Sequence, residues 1–303
     1  MKKIYLTFDI ETIVSGISRN ENYLAGVYLA SMFIAEELRK RDLKGTFFIS
    51  LSSKQASIDQ KEYSECIKWL IQSLSSYKNI KIEPHIHAYN LPVTFDCKED
   101  AFNKYNQIQQ TELLTFAKDF FKNEGIDVES FRPGGFSAND SYYNSLFDAG
   151  YKNSSILEKD KKVNIDMISG EVFQGEVYKT QFDIIEYPVT SVKIKSIKNK
   201  IEIVNLSPDF FKLSTVENYL RDLNYININF HSFSIYLNRL VRENHDGLFQ
   251  NNIKFLLFEN ILNKLLKSTS IQTLNTKTIV SEEFINWIDF IKNNKYDTFF
   301  IGE

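Results

Sequence analysis

Residues 4–11, IYLTFDIE, alternate apolar and polar side chains. Residues 23–40, YLAGVYLASMFIAEELRK, return apolar side chains at helical spacing, and residues 45–50, GTFFIS, form a short aromatic strand. Period two, then period 3.6, then period two again is the pattern of a β-α-β unit. The same pattern continues outward. Residues 61–76 carry Ile67, Leu70, Ile71 and Leu74 on one helical stripe and lead into a strand over 80–87. A long helix is expected over 99–123, a strand over 130–133, a short helix capped by Asn139, and a strand over 153–157. Strands alternating with helices predict an α/β fold with a parallel sheet and helical crossovers. Without a Pro/Gly/Ser-rich linker, the expectation is one continuous domain over 1–303.

The regularity breaks between about 159 and 209, where VYKTQFDIIEYPV and VKIKSIKNKIEIVNL read as consecutive strands turning at Lys198-Asn199. This is a β-hairpin excursion around 185–207. The α/β pattern resumes at Ser214, whose spacing to Glu217 fits a capping box. A helix to Leu223 and a strand over 226–230 follow. A helix over 251–266, a strand over 271–274, a helix after Ser281 and a segment over 298–301 complete the pattern.

Composition narrows the class. A chain of 303 residues, 43% hydrophobic with 25 Phe and 16 Tyr, can bury a large core, which excludes disordered and fibrous classes. The 36 Lys+Arg against 39 Asp+Glu leave a net charge of −3 without a basic run, so no nucleic-acid partner is expected. Two cysteines, Cys66 and Cys97, are too few for a disulfide framework or a cysteine zinc site and fit a reducing compartment. MKKIYLTFDIET reaches Asp9 too soon for a signal peptide, and no apolar span reaches about 20 residues. The expected location is cytoplasmic, with allowance for attachment to the inner face of the membrane.

Chemistry gathers at strand ends. Thr7, Asp9 and Glu11 share one face of the first strand, which places two carboxylates at its C-terminal end, the end where barrel active sites lie. His85 and His87, two of only four histidines, share a face at the end of another strand. A carboxylate with two imidazoles is a common zinc ligand set that leaves one position open. Arg132 offers a fork of donors, and Gly134 and Gly135 permit close backbone approach to a ligand. His231 ends an apolar strand and is suited to general acid chemistry. Each feature alone has an ordinary structural explanation; a single barrel mouth would unite all four. His245 and Asp246 could line that mouth, although His-Asp-Gly is more often turn chemistry. Trp69 and Trp287 lie on helical stripes and read as core; Tyr142 and Tyr143 could face a sugar or pack.

The series YLTFDIET (5–12), KGTFFIS (44–50), EPHIHAYN (83–90), FRPGGF (131–136) and NINFHSFS (227–234) resembles, in order and spacing, the motifs of the polysaccharide deacetylase family. That family is also called the NodB-homology domain or carbohydrate esterase family 4. The resemblance runs from about residue 4 to 275. Two departures stand out: Ile10 falls where the family places a metal-binding Asp, and the histidine pair is HxH rather than separated by three residues. FDIE, HxH and HSFS look like the divergent branch associated with lipopolysaccharide and surface-polysaccharide biosynthesis.

The resemblance implies a single distorted (β/α) barrel with about seven parallel strands. It also implies metal-dependent removal of an acetyl group from an N-acetylated sugar of a surface-polysaccharide precursor. The implied roles are Glu11, His85 and His87 as ligands of a divalent metal, zinc first; Asp9 as base; Arg132 as its holder; and His231 as acid. Gly134, Gly135 and His245 would contact substrate, a glycan or a nucleotide- or lipid-linked sugar. Asp9 and Glu11 could exchange roles. Glu186 and Pro188 fall near the family's fourth motif, whose acid tunes the catalytic histidine. Two other readings are a silent barrel that binds a glycan or a partner, suggested by Ile10 and the compressed HxH, and an amidohydrolase for a non-sugar amide.

Overall fold

A computed structural model describes residues 2–12, 25–53, 59–159, 162–167, 170–195, 201–236 and 280–303. The first strands are β1 (Lys3–Ile10), β2 (Gly45–Ser50), β3 (Ile80–Ile86), β4 (Ser130–Pro133) and β5 (Asn153–Ser154). With β9 (Ile185–Glu186) and β12 (Tyr225–His231) they form a curled sheet in the order β12-β1-β2-β3-β4-β5-β9. All seven of these strands are mutually parallel. The short β8 (Tyr178–Lys179) adds antiparallel to β9, and β13 (Thr298–Phe299) pairs with the start of β1. The result is a mixed α/β half-barrel: the parallel sheet that the strand and helix periods predict, curled into the distorted (β/α) barrel that the resemblance implies.

Alternation along the central strands divides the core in two. Leu6, Phe8 and Ile10 of β1, with Ile226, Ile228 and Phe230 of β12, belong to the large outer core. There they pack with helices α1 (Ala30–Arg41), α2 (Gln60–Leu74), α3 (Gln107–Asn123) and, later in the chain, Val280–Asn293. α2 contributes the stripe Tyr63, Cys66, Ile67, Leu70, Ile71 and Leu74, and Asp59 caps it by accepting from the Lys61 and Glu62 amides (2.8 and 3.0 Å). The opposite face of the sheet lines the barrel interior. Its floor is aromatic, built of Tyr5, Phe48, Tyr187 and Tyr225 with Ile301. Above that floor the inward residues turn polar: Thr7, Ser155, Asn227 and Asn229 are all fully buried.

One local device sets the register that the site depends on. Pro84 has no N–H to give to a sheet ladder, and β3 pairs with β4 only beyond it, at His85↔Arg132 and Ile86↔Pro133. The preceding Glu83, fully buried, spans the gap. Its Oε2 accepts from the Glu129 and Ser130 amides (3.0 and 2.9 Å), and its Oε1 from the Ser130 hydroxyl (2.9 Å). A side chain thus replaces the missing ladder bonds, and Arg132 comes to lie beside His85.

Several expectations need correction. α3 starts at Gln107 rather than near 99, because Asn106 and Gln109 form a reciprocal capping box there. Asn139 does not cap the next helix, α4 (Tyr142–Asp148), whose cap position is Ser141. The Asn139 amide instead donates to the Asn103 and Tyr105 carbonyls (3.1 and 3.3 Å). Helix α5 (Leu213–Asp222) begins ahead of the Ser214–Glu217 box, and the Leu213 amide is taken by Glu283 Oε2 (2.8 Å) from the Val280–Asn293 helix. The hairpin excursion is larger than two strands. β10 (Ser191–Lys195) and β11 (Ile201–Asn205) do pair antiparallel, but within a four-stranded sheet with β6 (Lys162–Met167) and β7 (Gly170–Phe173). The Lys198-Asn199 turn, the 251–266 helix, the 271–274 strand, and His245 with Asp246 lie outside the described residues. Among the described residues, no helix is long and apolar enough to cross a membrane.

Candidate active site

Strand register assembles the site. Asp9 of β1 is the direct neighbour of His231 on β12, and His85 of β3 is the direct neighbour of Arg132 on β4. Glu11 and His87 each stand one residue beyond their strands, on the inward face. Ile10, at the position where the resembled family has a metal ligand, is fully buried in the outer core. The same-face residue is Glu11, two positions after Asp9, so strand alternation explains why the second carboxylate is displaced by one.

Arg132 is the central fixture. It is fully buried, and all three of its guanidinium nitrogens are used. Nη1 donates to Asp9 Oδ1 (2.7 Å) and Asn229 Oδ1 (2.8 Å). Nη2 donates to Thr7 Oγ1 (2.9 Å) and Ser155 Oγ (2.7 Å), and Nε to the Ser155 carbonyl (3.3 Å). Its plane also lies over the Phe48 ring, 4.2 Å from the centroid. Asn229 closes the circuit by donating from Nδ2 to Asp9 Oδ2 (3.0 Å). Burial alone would raise the Asp9 carboxyl, but the charge of Arg132, aided by that of His231, brings it below the ordinary value. Asp9 is therefore a buried carboxylate held ionised, with both oxygens oriented.

All three described histidines are locked through Nδ1, because the partner in each case can only accept. His85 Nδ1 donates to the Arg132 carbonyl (3.0 Å), His87 Nδ1 to Asp100 Oδ1 (2.8 Å) and His231 Nδ1 to Asp209 Oδ2 (2.8 Å). Each Nε2 therefore faces the site. Those of His85 and His87 converge on Glu11 Oε2, at 3.0 and 2.7 Å. Burial holds His85 below its ordinary pKa, outweighing the nearby carboxylates, so its neutral ring has one N–H for two acceptors, the Arg132 carbonyl and Glu11 Oε2. Acceptors in contact call for a cation, and these three buried side chains suit a divalent metal ion in residue type and in convergence. His231 stands apart: its Nε2 is 3.9 Å from both Asp9 Oδ2 and Glu11 Oε1. Burial would lower its pKa, but the hydrogen bond and charge of Asp209, with Glu11 and Asp9, raise it to about 9.

The structure thus brings Asp9, Glu11, His85, His87, Arg132 and His231 to one end of the barrel. Gly134 packs against the His87 ring and Gly135 sits exposed in a left-handed turn (φ 56°). Glu186 does not reach His231: it is fully buried and accepts from the Ile156 amide (2.8 Å) and the Tyr143 hydroxyl (3.1 Å). The acid that does reach it, Asp209, lies in the turn after β11. Trp287 is core, Trp69 packs partly buried on it, and Tyr142 is buried with its hydroxyl 2.8 Å from Ser154 Oγ. Sequence reasoning put Thr7 on the inward face but gave it no role, and it missed Asn227 and Asn229, although period two from His231 puts them on the same face. Asp100 and Asp209 lie in loops that carry no such signal.

No protein-family model and no curated protein sequence matches the chain. Solved structures do. A Mycobacterium smegmatis protein assigned as a polysaccharide deacetylase aligns at 13% identity over 98% of this chain and 92% of its own, with a TM-score of 0.47. A Bordetella bronchiseptica protein assigned as a polysaccharide deacetylase involved in O-antigen biosynthesis aligns at 10% identity, 94% and 90% coverage and a TM-score of 0.49. The 4-α-glucanotransferase of Thermococcus litoralis aligns at 12% identity over 99% of this chain and 39% of its own, with a TM-score of 0.52. Polysaccharide deacetylases and family 4 carbohydrate esterases recur among the solved structures similar to this chain; the likeness to the glucanotransferase, at 12% identity, is one of fold.

Proposed function

We propose that the chain is a metal-dependent hydrolase that removes the acetyl group from an N-acetylated sugar of a surface-polysaccharide precursor, nucleotide- or lipid-linked. One observation carries the reaction type. An ionised carboxylate, Asp9, and an imidazole with raised pKa, His231, face each other 3.9 Å apart beside a Glu-His-His cluster. That is a base and an acid on two sides of one small space. The sugar rests on the five-motif resemblance.

Glu11, His85 and His87 would hold the metal, for which zinc suits the donor set; bound there, it would supply a Lewis acid for the acetyl carbonyl and acidify the attacking water. Asp9 Oδ2 takes the proton of that water as its oxygen bonds to the carbonyl carbon. Arg132 and Asn229 keep Asp9 ionised and aimed, and an amide near Gly134 or Gly135 donates to the developing oxyanion. When the C–N bond breaks, His231 Nε2 delivers its proton to the leaving amine; as acetate leaves, the proton on Asp9 passes to solvent and one from solvent restores His231. The test is metal analysis of chelator-free protein together with an acetate-release screen over N-acetylated sugars. Bound metal with acetate release that Asp9→Asn abolishes is the expected result; metal without release from any acetylated sugar would overturn the deacetylase reading.

A further inference from the structure

His87 is the ligand-set member whose Nδ1 partner comes from outside the barrel. β3 ends at Ile86, and residues 88–100 leave the sheet and double back on their own start before the Phe102–Lys104 turn. The Ala88 amide donates to the Asp100 carbonyl (3.1 Å) and the Asn90 amide to the Cys97 carbonyl (2.9 Å), which closes the segment on itself. The Tyr105 hydroxyl, buried, lies 2.9 Å from the Ala88 carbonyl and accepts from the Glu99 amide (3.0 Å), pinning both ends. This closure delivers Asp100 Oδ1 to His87 Nδ1 at 2.8 Å. The ring is confined on other sides by Gly134 and by His85, whose ring lies edge-on at a centroid distance of 4.8 Å. Asp100 is not a core residue. Its side chain is 55% exposed, so its bond to His87 adds little to folding.

We infer that Asp100 is a positioning residue for the metal site. Its carboxylate fixes the His87 tautomer and ring angle, keeps Nε2 aimed beside Glu11 and His85, and makes metal retention depend on closure of the 88–100 segment. The inference rests on the Glu-His-His cluster being a metal site. Its physical basis is general: a ligating imidazole is oriented and made more basic by the acceptor on its other nitrogen, and loss of that acceptor typically costs 10–100-fold in metal affinity.

The experiment is competition titration of Zn²⁺ against a chromophoric chelator, using the full chain and three variants. Asp100→Ala should weaken Zn²⁺ binding by about 10–100-fold, with the melting temperature of metal-free protein within about 2 °C of wild type. Asp100→Asn should fall between the two, because the amide oxygen still accepts from Nδ1–H. Asp96→Asn removes the same charge from the same segment at a residue 67% exposed and paired with Lys98, and should change affinity less than about threefold. Zn²⁺ binding by Asp100→Ala within threefold of wild type overturns the inference alone, as does an equal loss in Asp96→Asn, which would mean charge rather than positioning. A wild type that takes up no Zn²⁺ overturns it together with the metal reading.

Discussion

Asp209 meets His231 twice: its Oδ2 accepts from the ring Nδ1–H at 2.8 Å and from the backbone amide of the same residue at 3.1 Å. The second bond matters as much as the first, because it fixes the carboxylate to the strand end and so fixes the ring. Burial opposes a charged imidazole here, yet the balance with Asp209 and the site carboxylates puts its pKa at about 9. An acid with that pKa is protonated through neutral pH and loses its proton only above it.

Deacetylation should therefore hold up to pH near 9 and decline beyond it as His231 deprotonates. Asp209→Asn keeps an acceptor for both donors but removes the charge. Its alkaline limb should move toward neutral pH, and its rate at pH 8 should drop at least about tenfold. The kcat/KM profile of both proteins on an acetylated sugar checks this; superimposable alkaline limbs would exclude His231 as the titrating acid.

Asn229 holds Asp9 and Arg132 at once, and Leu is close to it in volume but can make neither bond. Asn229→Leu should lower kcat by about 30–100-fold while leaving KM within threefold and Zn²⁺ content unchanged, since it touches only the base and its holder. One Arg132 donor also loses a partner, which costs about 1–3 kcal/mol of stability in a buried site. Denaturant titration and steady-state kinetics separate the two effects.

Much of this was legible because the barrel interior follows a strict period of two. Once Asp9 is on the inward face, so are Thr7 and Glu11, and Ile10 must point to the helices; His231 places Asn229 and Asn227 in the same way. The inward histidine pair follows from the same rule, whereas the count of about seven parallel strands comes from the resemblance and the strand order from the structure. What the periods could not convey comes from contacts between distant segments. Asp209 rather than Glu186 reaches His231 because the turn after β11 folds over the mouth. Glu83 bridges to β4 because Pro84 breaks the ladder. Glu283 takes the Leu213 amide and moves a helix start. Each is a pairing of residues far apart in sequence, which no local pattern encodes.

Gly134 is defined by what lies against it. A Cβ there would come within 2.6 Å of Cε1 and Nδ1 of His87, so Gly134→Ala must displace the ring or the turn. Zn²⁺ affinity should fall by at least about tenfold, with overpacking costing about 1–3 kcal/mol of stability. Gly135→Ala is the contrast. Its Cβ meets nothing, and the cost is the left-handed backbone (φ 56°), about 1 kcal/mol, with metal affinity retained. Equal Zn²⁺ affinity for both variants would show that the His87 ring does not have to stay where Gly134 admits it.

Glu186 offers a prediction about stability rather than turnover. Its side chain is fully buried, and burial, only partly offset by its hydrogen bonds and by Arg132, raises its pKa from 4.5 to about 7. The sign follows from linkage. The folded chain holds this proton more tightly than the unfolded one, so the group's contribution is fully present below pH 4.5 and is lost as pH rises through 7. At pH 8 the native protein must carry a buried carboxylate; at pH 5 it carries a neutral acid. Glu186→Gln keeps an oxygen for the Ile156 amide and is neutral at every pH. It should therefore gain stability over wild type on going from pH 5 to pH 8, by an amount up to about 3 kcal/mol. Chemical denaturation of both proteins at the two pH values measures this directly, and comparison with the variant cancels the other titrating groups. A difference between the proteins that is the same at pH 5 and pH 8 would mean that Glu186 is already ionised at the lower pH.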